Sequence, residues 1–121
     1  MQKQRILIVE NEDMIANLEK AILEQEGFCV EIAIDGPEGL DRIKNNGYDV
    51  IISDFKMPNM SGDEFFEEVK RLSQGLEKKI IFVSAILNEF IESTGNRFLA
   101  KPFSFQQLIQ AVKDALAQSQ T

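Results

Sequence analysis

Residues that could do chemistry together stand where short apolar runs stop. Glu10 and Asn11 follow Ile6–Val9, Asp54 comes just after Val50–Ile52, Ser84 follows Ile80–Val83, and Lys101 follows Phe98–Ala100. Clustered carboxylates repel and raise each other's pKa unless a cation lies between them. All-oxygen ligands favour a hard cation such as Mg²⁺, which takes one or two carboxylates and keeps several waters. A lysine and a hydroxyl beside that metal suit a bound anion, and the set is one for phosphoryl transfer. The central carboxylate, Asp54, could be a nucleophile forming an acyl phosphate. Each residue alone has a plainer explanation. Glu12 or Asp13 favours a helix N-terminus, Asp54 could cap a turn, and Ser84 could satisfy backbone groups. Such separate roles do not require convergence on one edge, whereas the chemistry does.

The elements that must position these residues can be read from the pattern. The runs Ile6–Val9, Val30–Ile34, Val50–Ile52, Ile80–Val83 and Phe98–Ala100 are mostly continuous, as in parallel strands buried on both faces. Between them, Ile15, Leu18 and Ile22 recur at helical spacing before Gly27. Leu40 and Ile43 mark a second helix, with Pro37 in its first turn and Gly47 near its end. Ser61 to Glu64 has the capping-box form and precedes Phe65, Val69 and Leu72; Ser104 to Gln107 repeats it before Leu108, Ile109, Val112 and Leu116. Asn88 to Thr94 makes a short fourth helix. Strand–helix repeated five times implies one α/β domain over residues 1–121, with a parallel sheet and helices on both faces. Five strands suit the flavodoxin-like doubly wound order 2-1-3-4-5, in which ligands bind beyond the carboxyl ends of the strands. Asp35, after the second run, is expected to begin the second helix instead of joining the site.

Composition narrows the functions. A net charge of -7 argues against nonspecific nucleic-acid binding and fits a protein that binds cations. The single Cys29 excludes an internal disulfide and a cysteine zinc cluster, and its apolar context predicts a small buried residue. No apolar run approaches the roughly 18 residues of a membrane helix. With no secretory signal peptide either, the expected setting is the cytoplasm. The absence of histidine removes Ser-His-Asp and Cys-His catalysis, as well as any phosphohistidine formed within the chain. The tail AQSQT carries no helix-turn-helix or basic region, so no DNA contact by this segment is expected.

The stretches ILIVENE, DVIISDFKMPNMSG, IIFVSA and FLAKPF resemble the receiver domain of two-component response regulators, over nearly the whole length. That resemblance implies a phosphorylation-dependent switch, not primarily an enzyme. Asp54 would accept a phosphoryl group from a histidine on a partner kinase or phosphotransfer domain, or from a small phosphodonor. Glu10, Asn11 and Asp54 would serve Mg²⁺, with the backbone carbonyl of Lys56. Ser84 would hydrogen-bond the phosphoryl group, and Lys101 would pair with it. Phe98 holds the aromatic position that turns inward in the active state, or is a plain sheet residue. The face of the fourth helix, fifth strand and fifth helix would then change its affinity for a partner.

Three departures from the family pattern stand out. Asn11 replaces the more usual second acid, which predicts weaker Mg²⁺ binding. Ser84 and Lys101 lie closer in sequence than is usual in the family, which predicts a shortened fourth helix. The stretch ESTGNRFLAKPF looks more like receivers fused to the C-terminus of hybrid sensor kinases than like free-standing regulators. Two other readings compete. An inert receiver-like docking module would lack phosphoryl chemistry, but Asp54, Lys101 and Glu10 are all present. A metal-dependent phosphohydrolase needs a general acid, for instance an Asp two residues past the nucleophile, where this chain has Lys56.

Overall fold

A computed structural model describes residues 3–118. The elements run β1 (Arg5–Val9), α1 (Asp13–Gln25), β2 (Cys29–Ala33), α2 (Gly36–Asn45), β3 (Val50–Asp54) and α3 (Gly62–Leu72). A short 3₁₀ turn (Leu76–Lys79) leads to β4 (Ile80–Ser84), α4 (Glu89–Thr94), β5 (Phe98–Ala100) and α5 (Phe105–Gln118). All strand pairings are parallel and the order is β2-β1-β3-β4-β5, the doubly wound arrangement expected. The polar tail read at positions 117–121 lies mostly outside the described residues.

Side chains alternate across the sheet, so each strand feeds two cores. Ile6 and Ile8 of β1, Val50 and Ile52 of β3 and Ile81 and Val83 of β4 pack with Ala16 and Leu23 of α1 and Leu108 and Val112 of α5. Leu7 and Val9, Ile51, and Ile80 and Phe82 pack on the other face with Leu40 of α2, Phe65 and Val69 of α3 and Ile91 of α4. Register fixes the upper edge of the sheet: Asp54 pairs with Val83, and Ser84 with Ala100. The last residues of β3 and β4 and the first after β1 and β5 therefore share one end.

Local chemistry shapes the ends of the helices. Asp35 caps α2 by accepting from the Glu38 N–H at 2.9 Å, as expected. Ser104 and Gln107 form a reciprocal capping box at α5, with distances of 3.1 and 2.8 Å. Ser61 departs from its expected role. Its hydroxyl turns to the side chains of Asp63 and Glu64 and does not cap the α3 N–H groups. Helix α4 has six residues, short as expected. Asn88 caps its start, accepting from Ile91 N–H at 2.8 Å, and Gly95 closes it with φ 72°, a left-handed conformation that glycine adopts without a Cβ clash. Asn96 then donates to the carbonyls of Glu77 and Ile80 at 2.7 and 2.9 Å, tying the exit of α4 to the entry of β4.

Two expectations about burial are corrected. Cys29 is exposed, not buried. It opens β2, the edge strand, where the inward residue is its neighbour Val30. In α1 the buried residues are Ala16, Glu19 and Leu23, one position round from the apolar stripe Ile15, Leu18 and Ile22. Small Ala16 lets the helix lie close to the sheet, so Ile15 and Ile22 become half-buried flanks and Leu18 stays 50% exposed. None of the helices among the described residues is long and apolar enough to cross a membrane.

Candidate functional site

Beyond the carboxyl ends of the central strands lies a cavity of about 400 Å³. Asp54, Lys56, Ser84, Asn88 and Lys101 line it, with Ala85 and Ile86. Asp54 ends a strand buried along its whole length, and its side chain is 8% exposed. Lys101 reaches it from the end of β5, with Nζ 3.0 Å from Oδ1. Burial acts to lower the pKa of Lys101, but the hydrogen bond and charge of Asp54 outweigh it and leave the ammonium above its usual range. The Lys101 N–H also donates to the Ser84 carbonyl at 2.9 Å, so backbone pairing sets the spacing of the two cavity residues. The Ser84 hydroxyl accepts from the Ile86 N–H at 3.4 Å, leaving its own proton free to be donated.

Glu10 is 3% exposed. Burial first, then the hydrogen bond and charge of Asp54, push its carboxyl up to about 7, against the Glu12 N–H, which donates to it at 3.1 Å, and the charge of Lys101. Two carboxyls facing each other in this way gain from a cation placed between them. Asn11 is exposed, and its amide has no hydrogen-bond partner among the described residues. Among those residues no group of three or more Asp, Glu, His or Cys side chains could hold a metal. The oxygen donors that the sequence reading assigns to the metal are two carboxylates, one amide and the carbonyl of Lys56. That set fits Mg²⁺, which binds through one or two carboxylates plus water.

Of the residues read from sequence, Asp54, Ser84, Lys101 and Lys56 share the cavity, with Glu10 close enough to Asp54 to perturb it. Phe98 lies apart from them. It is half-buried on β5, paired with Phe82, and lines a shallow depression with Arg97 and residues of α5. Sequence reasoning missed Asn88, whose type at the head of a predicted helix was the available signal. It also missed Phe55, the residue after Asp54. The Phe55 ring meets Phe82 at 5.6 Å and Phe90 of α4 at 6.0 Å between centroids. Phe66 of α3 completes the cluster, 5.6 Å from Phe90. Nothing in spacing alone distinguished these rings from ordinary core.

The strand order, the helices on both faces and the cavity at the carboxyl edge define a CheY-like doubly wound α/β protein. The family model of the response regulator receiver domain matches residues 6–113, and the chain belongs to that family. The Bacillus subtilis protein described as an uncharacterized transcriptional regulatory protein, YkoG, is 32% identical over 126 residues, covering 100% of this chain and 54% of YkoG. The chain spans about half the length of the curated relatives it matches. A CheY-like receiver domain protein from Methanospirillum hungatei is 31% identical with a TM-score of 0.89, over 98% of each chain. The receiver domain of the hybrid histidine kinase CckA is 31% identical with a TM-score of 0.80, over 93% of this chain and 98% of that one.

Proposed function

We propose that residues 1–121 form a phosphoacceptor domain in which Asp54 takes a phosphoryl group from a phosphohistidine on a partner kinase or phosphotransfer domain. The observation that carries this reading is the Asp54 carboxylate at the floor of an open cavity, held 3.0 Å from Lys101, with the Ser84 hydroxyl on the same wall. An Asp54 oxygen attacks phosphorus, the bond from phosphorus to the imidazole nitrogen breaks, and the imidazole leaves with the donor. Glu10, Asn11, Asp54 and the Lys56 carbonyl would hold Mg²⁺, which offsets charge on the transferring group. Lys101 loses its carboxylate partner as Asp54 becomes an acyl phosphate and pairs instead with a phosphoryl oxygen. Ser84 donates its free proton to another.

That last contact exists only in the phosphorylated form, so it biases the loop 85–88 and the adjoining α4 toward a second arrangement. Phe98 and the face of α4, β5 and α5 would carry the change to a protein partner. Self-phosphorylation and slow hydrolysis are the chemistry of the domain. It turns over no other substrate, makes no nucleic-acid contact of its own and works in the cytoplasm, where the phosphodonors are. The likeness to a receiver from a hybrid kinase supports a parent of that kind, and the likeness to YkoG, of which this chain spans 54%, supports a transcriptional regulatory parent.

Incubation with acetyl phosphate and Mg²⁺, read by intact mass, tests the reading. One phosphoryl addition is expected in the native chain and none in Asp54→Asn. No addition from acetyl phosphate or from a competent kinase domain would replace the switch with an inert docking module.

A further inference from the structure

Asn88 lines the cavity at Asp54, and the transfer chemistry above leaves it without a task. It follows an exposed stretch, Ala85 to Leu87, and is itself half-buried. The two ends of its amide differ. Oδ1 accepts from the Ile91 N–H at 2.8 Å and so caps α4. Nδ2 has no hydrogen-bond partner among the described residues. An amide nitrogen carries two donors and no acceptor, so the free end suits the oxygen of an anion and not a metal ion.

The same residue holds the helix behind it. Its carbonyl accepts from the Glu92 N–H at 3.1 Å. With six residues, α4 is too short to persist on its own, so its cap and its packing must order it. Ile91, 1% exposed, anchors it in the core. The Phe90 ring lies 6.0 Å from that of Phe55, the residue after Asp54. Asn88 therefore joins the cavity to α4, with one end of its amide committed to the helix and the other uncommitted.

We propose that Asn88 is a further ligand of the phosphoryl group on Asp54, with Nδ2 donating to a phosphoryl oxygen while Oδ1 keeps the Ile91 N–H. This rests on the phosphoacceptor reading above. A phosphoryl group brings three strong acceptor oxygens, more than Lys101 and Ser84 alone can saturate. The donor is a side chain in the cavity already described; the N–H groups of α4 take no part. No hydrogen bond joins Asn88 to Asp54 in the unphosphorylated chain, where Lys101 holds the carboxylate at 3.0 Å. The contact thus belongs to the phosphorylated form alone. By linkage, whatever the phosphoryl group gains from Asn88, the α4 cap gains from the phosphoryl group. A single side chain would then report the state of Asp54 to the first turn of α4.

Asn88→Ser and Asn88→Asp separate the two roles. Ser and Asp cap helices about as well as Asn, but neither presents an amide donor. The probe is beryllofluoride with Mg²⁺, whose fluorides stand where the phosphoryl oxygens would. It is titrated into the whole chain and followed by amide NMR shifts. Affinity should fall about tenfold in Asn88→Ser, the scale of a hydrogen bond to a charged group, and further in Asn88→Asp, whose carboxylate repels the anion. Hydrogen exchange at the Ile91 N–H should slow about tenfold when the native chain binds the probe. In Asn88→Ser that exchange should match the native rate before the probe is added and change little after it. Equal affinities of the native chain and Asn88→Ser overturn the proposal. So does a weaker affinity in Asn88→Ser that comes with faster α4 exchange before the probe is added, since that loss belongs to the cap. A native chain that takes up neither beryllofluoride nor a phosphoryl group from acetyl phosphate overturns the phosphoacceptor reading, and this proposal with it.

Discussion

Replacing Asn11 by Asp would add a negative charge to the proposed metal site. Asn11 is exposed at the exit of β1, beside buried Glu10. Two unit charges about 4 Å apart interact by about 1 kcal/mol in water-like surroundings, so a divalent ion would gain about 2 kcal/mol from an added carboxylate. Two effects reduce that gain. Salt screens the exposed position. The new charge also raises the pKa of Glu10, already pushed up to about 7 by burial and Asp54, so more protons must leave when metal binds. A net gain of about 1 kcal/mol remains, which is about fivefold in affinity. Titration calorimetry of both chains with MgCl₂ at one pH and ionic strength measures it. Without magnesium, Asn11→Asp should unfold at lower temperature than the native chain, because a third acid joins a site where the first two already repel. Equal magnesium affinities, or tighter binding by the native chain, would refute the electrostatic account of this site.

Other perturbations follow from the same geometry. Glu10 and Glu19 rise from an ordinary 4.5 to about 7 in the folded chain, which therefore holds protons that the unfolded chain has already released. Their contribution to stability is complete below about pH 4.5 and is lost as pH climbs through 7; urea unfolding should show this fall without magnesium, and Glu19→Gln should flatten part of it. In Gly62→Ala the new Cβ would run into the Phe55 ring, so the ring must move. A loss of about 1–3 kcal/mol by denaturant unfolding is expected, and an unchanged midpoint would mean the ring shifts freely. Asn96→Ala leaves the Glu77 and Ile80 carbonyls without their amide donor. It should lower stability by about 1–2 kcal/mol and speed hydrogen exchange at the start of β4.

The strands could be read from sequence because parallel strands buried on both faces are unbroken apolar runs. Ile6–Val9 fell within Arg5–Val9, and the run at 98–100 matched β5. The site was readable for the same reason: strand exits in a parallel sheet share one edge, so Asp54, Ser84 and Lys101 converge once the strands are placed. What escaped depends on contacts between distant segments. The true buried face of α1 includes a glutamate, which no apolar pattern marks. Exposure of Cys29 follows from its place on the edge strand, a property of topology and not of its neighbours in sequence. The turn at Leu76–Lys79 was not anticipated either. It depends on Gly75 at φ 103° and on buried Glu77, which accepts from the Gly75 N–H at 2.6 Å. Thr94-Gly95-Asn96, part of the stretch ESTGNRFLAKPF, is the device that ends α4 and anchors it to β4.

The central claim is that Asp54 carries the phosphoryl group. Borohydride reduction of the chain after treatment with acetyl phosphate and Mg²⁺ converts an aspartyl phosphate to homoserine, and peptide mass spectrometry locates the residue changed. Homoserine at position 54, dependent on magnesium and on the phosphodonor, is the predicted result. Homoserine at another position, or none in a chain that has gained phosphate, would contradict it.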